Sequence, residues 1–393
     1  MSAHAQRGLR HGWTTGACAT AATAAAWTAL LAGEFPDPVT IALPKGRRPS
    51  FALAHTARED DAAAAGIVKD AGDDPDVTHG ALVLATVRRG RPGTGVTFRA
   101  GEGVGTVTKP GLPVAVGEPA INPVPRRLMT EAVTRLAEAY GAAADAVVEI
   151  AIPGGAELAR GTWNPRLGIV GGLSVLGTTG VVVPYSCSAW IDSIRRGVDV
   201  ARATGCTHVG ATTGSTSEAT VRGLYGLPEE AMLDMGDFAG AVLKYVRRHP
   251  LPHLTIGGGI GKMVKLGDGH LDLHSKRSQV DLPGLATLVA DAGGGTALTA
   301  AVQDANTALD VLGRDVGDGR RGGRRTFGRL TRCSRLARDY GRTTVHAEAM
   351  IKLAMIRLMA ARPTSHRRAY PDGRTHPTER STASGQYNGC HAA

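Results

Sequence analysis

Residues 167–180 have the sequence Leu-Gly-Ile-Val-Gly-Gly-Leu-Ser-Val-Leu-Gly-Thr-Thr-Gly, with five glycines in fourteen residues. Glycines at the carboxyl end of a strand let the backbone pass close to a nucleoside or phosphate, and the hydroxyls of Thr178 and Thr179 add donors. The run is not the GxGxxG motif of dinucleotide-binding proteins. It is not a phosphate loop either, because no Gly-Lys-Ser/Thr follows. Taken alone, it is equally compatible with a structural role and with ligand binding.

Downstream of this run, helix and strand patterns alternate. Apolar residues recur at helical spacing in 191–201, and strand patterns lie at 207–211 and 254–256 with a helix pattern at 236–248 between them. Strands that alternate with helices of this length indicate a parallel sheet. We therefore assign residues 161–315 to an α/β domain.

The chain before the run has a different organisation. Strand patterns dominate, and the helix patterns are an alanine-rich stretch at 17–32 and a second stretch at 125–140. The strand patterns lie at 39–43, 64–68, 81–87 and 147–152. This mixture predicts an α+β domain over residues 1–160.

The alanine-rich stretch has the look of a signal peptide, because Arg7 and Arg10 precede it. Alanine is a strong helix former but only weakly apolar, and threonines interrupt the stretch. We therefore interpret it as a helix of the folded protein. No segment approaches the ~20 apolar residues that a membrane-spanning helix needs. The sequence predicts a soluble, cytoplasmic protein with no membrane partner.

The net charge of +10 arises mostly from residues 291–393, and the rest of the chain is nearly neutral. We treat residues 316–393 as a basic C-terminal extension, rich in arginine from Arg320 to Arg342 and partly disordered. A nucleic-acid-binding protein that uses this region is one alternative, but the body of the chain gives no reason to expect a nucleic-acid partner. The five cysteines form no Cys/His cluster, which favours reduced thiols and no protein-bound metal.

Two further glycine-rich loops follow predicted strands, at 210–214 and at 257–262. The carboxyl ends of neighbouring parallel strands meet at one crevice, where ligands bind. Glu218, just after the first loop, would hold ribose hydroxyls there, or is an exposed carboxylate at the start of a helix. The predicted cofactor-binding residues are Gly171, Gly172, Gly177, Thr178, Thr179, Gly180, Thr213, Gly214 and Glu218.

An acidic segment, 69–76, packs four carboxylates and one lysine into eight residues. Its carboxylates, including Asp73 and Asp74, would bind magnesium or act as general acids. An Asp/Pro/Gly turn between strands explains the same spacing. His274 is likewise either a catalyst or a hydrogen-bonded structural residue. These three side chains are the candidate catalytic residues, and no base is assigned among them.

Six separated segments carry a resemblance to a known family. They are 14–16 (TTG), 69–77, 101–111 (GEGVGTVTKPG), 119–126 (PAINPVPR), 164–180 (NPRLGIVGGLSVLGTTG) and 261–274. In this order they resemble the cobalt-precorrin-5B C1-methyltransferase family of the anaerobic cobalamin pathway. The resemblance covers about residues 8–290. Beyond about residue 315 the sequence departs from the usual continuation of that family.

The resemblance implies transfer of a methyl group from S-adenosylmethionine, a cosubstrate, to C1 of a tetrapyrrole, giving cobalt-precorrin-6A. It also implies that the α/β domain is Rossmann-like and that the cobalt belongs to the substrate. A macrocycle with many carboxylates gives basic and amide side chains a reason to lie near it. The candidate substrate-binding residues are Thr14, Thr15, Gly16, Lys69, Asn122, Arg126, Asn164, Arg166 and Lys262.

A nicotinamide-dependent oxidoreductase that uses the region of Gly171 is the other alternative, and the missing GxGxxG motif counts against it. Deleting residues 315–393 would discriminate the nucleic-acid alternative, which predicts loss of function, from the methyltransferase, which predicts little loss of ligand binding. The sequence leaves the oligomeric state open.

Overall fold

The structure is a computed structural model that describes residues 8–291, 295–308 and 310. These residues form two compact units, which divide between Cys206 and Thr207. Unit 1 ends at Cys206 and unit 2 begins at Thr207. The predictions for the basic extension, 316–393, fall outside the described residues.

Unit 1 has mixed α and β structure. Its strands are β1 (Gly12–Trp13), β2 (Val39–Thr40), β3 (Ser50–Phe51), β4 (His55–Arg58), β5 (Ala62–Val68), β6 (Leu82–Arg89), β7 (Val96–Ala100), β8 (Thr106–Val107), β9 (Ala146–Ala151), β10 (Ile169–Val170) and β11 (Val181–Val182). Its helices are α1 (Thr15–Ala32), α2 (Pro123–Ala139), α3 (Gly155–Ala159) and α4 (Cys187–Ala203). The helices predicted at 17–32 and 125–140 are confirmed as α1 and α2.

The main sheet of unit 1 has the strand order β4-β5-β6-β9-β7. Its neighbours are antiparallel except β7 and β9, which are parallel. Helix α1 packs against β5 and β6 and against α2, and all of these elements contribute to one apolar core. The strands predicted at 64–68 and 81–87 are confirmed as β5 and β6.

Helix α1 is buried on nearly every side. Its alanines have no side-chain bulk beyond Cβ, so the sheet and α2 can both pack closely against it. It is long and apolar enough to span a membrane by composition alone, but 83% of it is buried inside unit 1, as expected for a core helix. Burial also raises the pKa of the Cys18 thiol, within α1, to about 12. This thiol therefore stays protonated and unreactive at neutral pH.

The boundary between the units lies later than the division at residues 160 and 161 expected from the sequence. A small second core explains the difference, because it joins Leu167 and Ile169 of the glycine run to Val107 and to Val200 of α4. Gly111 also lies directly against α4, where an added Cβ would be 2.6 Å from the Asp199 carbonyl oxygen. Residues 161–206 thus belong with unit 1 by packing.

Unit 2 contains a parallel sheet. Its strands are β12 (His208–Thr212), β13 (Met232–Asp234) and β14 (His253–Gly257), in the order β13-β12-β14. Its helices among the described residues are α5 (Ser215–Tyr225), α6 (Ala239–Arg248), α7 (Ile260–Gly267), α8 (Leu282–Asp291) and α9 (Thr296–Gln303). The parallel strands predicted at 207–211 and 254–256 are confirmed, and α6 follows the helix pattern at 236–248.

The amino end of this sheet carries a histidine that should make stability depend on pH. His208 accepts or donates a hydrogen bond with Thr255 Oγ1 at 2.8 Å, and its ring packs on Tyr225 and faces His253. Burial and, second, the charge of His253 lower the pKa of His208 below its ordinary value. The unfolded chain therefore binds a proton more readily, so this contribution to stability is present above about pH 6.5 and is lost as the pH falls below it.

We expect the thermal unfolding midpoint of His208→Gln to fall less between pH 7.5 and pH 5.5 than that of the wild-type chain. Glutamine keeps a polar group near Thr255 but cannot gain a proton. Replacing the exposed His270 with glutamine serves as the control and should keep the wild-type slope. An unchanged slope in His208→Gln would show that this group does not set the acid sensitivity.

Candidate functional site

The glycine run is threaded through unit 1 by backbone hydrogen bonds. Leu173 exchanges bonds with the segment that contains Gly103 and Gly105, with N···O distances of 2.8 Å. Val175 likewise donates to the Ala120 carbonyl at 2.8 Å and accepts from the Asn122 N–H at 3.1 Å. These bonds connect the run with two other segments that carry the family resemblance, 101–111 and 119–126, which lie far from it along the chain.

The glycines of the run lie against protein rather than around an open cradle. A Cβ at Gly172 would be 2.1 Å from the Gly103 carbonyl oxygen, and one at Gly177 would be 2.2 Å from Thr14 Oγ1. A Cβ at Gly180 would be 2.7 Å from the side chain of Leu43. Close backbone approach, the property that suggested a ligand, is thus used for internal packing at these three positions.

The other cofactor candidates in the run are more open. Gly171 has φ of +89° and no atom within 4 Å of an added Cβ, and Thr178 is exposed. The Thr179 hydroxyl bonds to the backbone of Val181, which begins β11. Within the run, therefore, Gly171 and Thr178 are the predicted residues whose surfaces remain open.

The start of α1 bonds to the same glycine run. Thr14 is the N-cap, with its hydroxyl accepting a bond from the Ala17 N–H. The Thr14 and Gly16 N–H groups donate to the carbonyls of Gly180 and Leu176, and Thr15 is buried. In the segment 14–16, which was predicted to bind the substrate, the N–H groups of Thr14 and Gly16 are therefore occupied by the glycine run.

The acidic segment 69–76 is a turn whose carboxylates bond to two distant parts of unit 1. Asp73 accepts a 2.6 Å bond from the Arg10 N–H, and Asp74 accepts a 2.8 Å bond from the Tyr185 N–H. The Arg10 guanidinium bonds to Asp70 and holds the pKa of that carboxyl below its ordinary value. The turn interpretation of this segment therefore accounts for Asp73 and Asp74 without catalysis.

Lys69 lies in the interior of unit 1, with a side chain only 2% exposed. Its ammonium contacts the Asp76 carboxylate and the Thr78 hydroxyl. Asp76 also accepts bonds from the Thr78 backbone and hydroxyl. Because this triad is self-contained, the geometry argues against a contact between Lys69 and a bound substrate.

Of three other predicted substrate residues, two make structural contacts through their side chains. Arg126 donates to the carbonyls of Ile121 and Pro119 at 2.8 and 2.9 Å. Buried Asn164 donates from its amide nitrogen to the Gly172 carbonyl at 3.3 Å and also fixes the glycine run through Ser174. Asn122 is the N-cap residue of α2, and its own side chain makes no capping bond.

Arg166 lies over the ring of Trp163, with 5.5 Å between its guanidinium carbon and the ring centroid. Both side chains are half-buried. Arg166 and Asn122 are therefore two predicted substrate residues of unit 1 that remain part-exposed.

Unit 2 brings a second group of predicted residues together at the carboxyl end of its sheet. Thr213, directly after β12, donates its N–H to the Gly257 carbonyl at the end of β14. Lys262 Nζ lies 3.5 Å from the Thr213 carbonyl oxygen and 3.1 Å from Asp237 Oδ1. Gly214 is the N-cap residue of α5, and Glu218 lies in the first turn of that helix.

The sequence did not single out Asp237. It lies in the loop after β13, and only a Gly-Asp pair after a short strand could have marked it. Lys265 was also missed: it is buried in α7 and donates to the carbonyls of Leu273 and Ser278, which tether the loop of His274. His274 Nδ1 accepts from the Lys276 N–H at 3.2 Å, a local structural bond.

Among the described residues, no group of three or more His, Cys, Asp or Glu side chains is arranged to hold a metal ion. The acidic turn fails because Arg10 and the Tyr185 N–H take up its carboxylates. Its magnesium interpretation therefore has no geometric support.

The described residues form a mixed α/β protein, and comparisons with known proteins show its family. The CbiD family model matches residues 2–184. The cobalt-precorrin-5B C(1)-methyltransferase of Paramagnetospirillum magneticum is 64% identical over 307 residues, which cover 78% of this chain and 86% of that protein. The protein of the same name from Rhodospirillum rubrum is 63% identical over 306 residues, covering 78% and 84%.

A solved structure of the cobalamin biosynthesis protein cbiD from Archaeoglobus fulgidus is 26% identical, covers 68% of this chain and 83% of that one, and has a TM-score of 0.38. The chain belongs to the cobalt-precorrin-5B C(1)-methyltransferase family, also called CbiD. The resemblance found from the separated sequence segments is thereby confirmed.

Proposed function

We propose that this chain transfers the methyl group of S-adenosylmethionine to C1 of cobalt-precorrin-5B, giving cobalt-precorrin-6A. The observation that carries the proposal is the identity of 64% over 307 residues to a protein of that name. The aligned length covers 86% of that relative, so most of the relative's chain has a counterpart here. The cobalt is part of the substrate. The same proposal includes a tetrapyrrole substrate and a cytoplasmic location.

The reaction needs positioning more than acid–base chemistry. Methyl transfer from a sulfonium to an electron-rich carbon is an in-line displacement, so holding donor and acceptor in a near-attack geometry supplies much of the acceleration. This requirement suits a protein whose catalytic candidates Asp73, Asp74 and His274 make structural hydrogen bonds. The chain's task is then to bind two ligands and to exclude water from the methyl group.

For the substrate, we propose Arg166 and Asn122 as partners of the macrocycle's carboxylates in unit 1. Both have part-exposed polar groups, whereas Lys69 and Asn164 are buried and satisfied internally. An arginine held over an aromatic ring, as Arg166 is over Trp163, is suited to bidentate carboxylate binding because its plane is already fixed.

For the donor, we propose that unit 2 is the Rossmann-like part of the molecule. Its parallel strands and the loop residues Thr213 and Gly214 at their carboxyl ends support this assignment. In open parallel sheets, ligands bind outside the carboxyl ends of the strands. The arginine-rich region that the nucleic-acid alternative needs lies outside the described residues, so that alternative gains no observation.

Calorimetry of the full chain with S-adenosylhomocysteine tests the donor half of this proposal. We expect saturable binding with one site per chain, because the demethylated product keeps the donor's nucleoside and amino-acid groups. Absence of heat at about millimolar ligand, the weak end of the affinity scale, would contradict the proposal.

A further inference from the structure

The strand order of unit 2 places one crevice at a defined point of its sheet. The chain passes from β12 through α5 to β13 on one side, then through α6 to β14 on the other side of β12. This change of direction is a topological switch point, and the loops after the two strands flank a crevice there. The crevice of unit 2 therefore lies outside the ends of β12 and β14.

A cation and an anion meet at this edge. Lys262, in the first turn of α7, has its ammonium 3.1 Å from the carboxylate of Asp237, which follows β13. The same ammonium lies 3.5 Å from the Thr213 carbonyl, which follows β12. Two loops and the first turn of α7 thus contribute to one charged group at the ends of the parallel strands.

The pair is suited to ligand binding because it retains hydrogen-bonding capacity. The Lys262 and Asp237 side chains are 35% and 25% exposed, so neither is sealed in the core. An ammonium has three N–H groups and a carboxylate has about four acceptor positions, more than the contacts between them use. A part-exposed ion pair adds little to stability, so stability alone does not explain its position.

Neighbouring groups support a ligand at the same place. The Thr212 hydroxyl, at the end of β12, is fully buried and has no hydrogen-bond partner among the described residues. Buried polar groups nearly always have a partner, so an unpaired hydroxyl beside the strand ends is compatible with a partner that is not part of the chain. An added Cβ at Gly258 would be 2.9 Å from Thr213 Oγ1, so a side chain there would disturb the edge.

We infer that Lys262 and Asp237 together recognise a zwitterionic α-amino acid group, the lysine holding its carboxylate and the aspartate its ammonium. Resting on the proposed function, this group is the amino-acid end of the methyl donor. It follows that Lys262 serves the donor and not the macrocycle, and that the donor's amino-acid end binds within unit 2. The glycine run then stabilises unit 1, as its packing against Gly103 and Thr14 indicates.

The test compares two ligands by calorimetry on the full chain: S-adenosylhomocysteine and its decarboxylated analogue, which keeps the ammonium. Lys262→Met should weaken binding of S-adenosylhomocysteine about 10- to 100-fold, the usual effect of losing a charge-assisted bond, and change the analogue by less than about threefold. Asp237→Asn should weaken both ligands, because both carry the ammonium. Lys244→Met, at an exposed position of α6, is the matched control and should match the wild type.

Each outcome bears on a different statement. If the wild-type chain does not bind S-adenosylhomocysteine, the proposed function fails. If it binds, and Lys262→Met leaves that affinity within about threefold or weakens both ligands equally, the inference is overturned while the proposed function stands. If circular dichroism shows that Lys262→Met does not fold, Asp237→Asn still tests the inference. Unchanged affinity for both ligands, or weaker binding of only one of them, would contradict the assignment.

Discussion

Lys69→Met is expected to destabilise the protein by about 3–5 kcal/mol, the cost of removing one partner of a buried ion pair. The side chains of Lys69 and Asp76 are only 2% and 5% exposed, so methionine would leave the Asp76 carboxylate in an apolar interior without its cation. Thr78, which shares the contact, cannot supply the missing charge.

Denaturant unfolding of the full chain measures this effect, with Asp76→Leu and the double variant Lys69→Met/Asp76→Leu completing a cycle. The double variant should be less destabilised than the sum of the single changes, because no uncompensated charge remains. A fully stable Lys69→Met that instead loses affinity for the tetrapyrrole would return Lys69 to the substrate site.

Gly172→Ala should be the most damaging substitution in the glycine run, costing about 3 kcal/mol or more through overpacking. The added methyl would lie 2.1 Å from the Gly103 carbonyl oxygen and 2.3 Å from its carbon, both backbone atoms that cannot swing away. The hydrogen bonds that Leu173 makes on either side of this contact would be pulled apart with it.

Gly171→Ala is the matched control, one residue away. It has φ of +89° and open space around it, so alanine should cost only about 1 kcal/mol for the left-handed backbone. Thermal unfolding of both variants separates the cost of overpacking from the cost of an alanine in the left-handed backbone region. Equal melting temperatures for the two would contradict the packing account of the run.

Local periodicity was enough to predict several elements of both units. The strands β5 and β6, the helix α2 and the strand β12 follow local patterns, and α1 follows from its alanine content. The spacing of apolar residues in such a pattern shows which face of the element is buried, and it can be read from a short stretch of sequence. The short strands β8 and β10 were not predicted, because two-residue pairings carry no period.

The role of the glycine run could not be predicted, because it depends on contacts between distant parts of the chain. Nothing local distinguishes a glycine that meets a ligand from one that meets Gly103 or Thr14. The same limit applies to Lys69, which was predicted to bind the substrate and is instead paired with Asp76 in the interior. The extent of unit 1, which reaches Cys206, could not be predicted for a related reason, since α4 packs on Gly111, far earlier in the chain.

Methyl transfer itself tests the central claim most directly. The full chain would be incubated with cobalt-precorrin-5B and S-adenosylmethionine carrying a carbon-13 methyl group, and the products followed by mass spectrometry and carbon-13 NMR. We predict that one labelled methyl appears at C1 of the macrocycle, with an equal amount of S-adenosylhomocysteine. A macrocycle that stays unlabelled, or that gains the label at another carbon, would contradict the account.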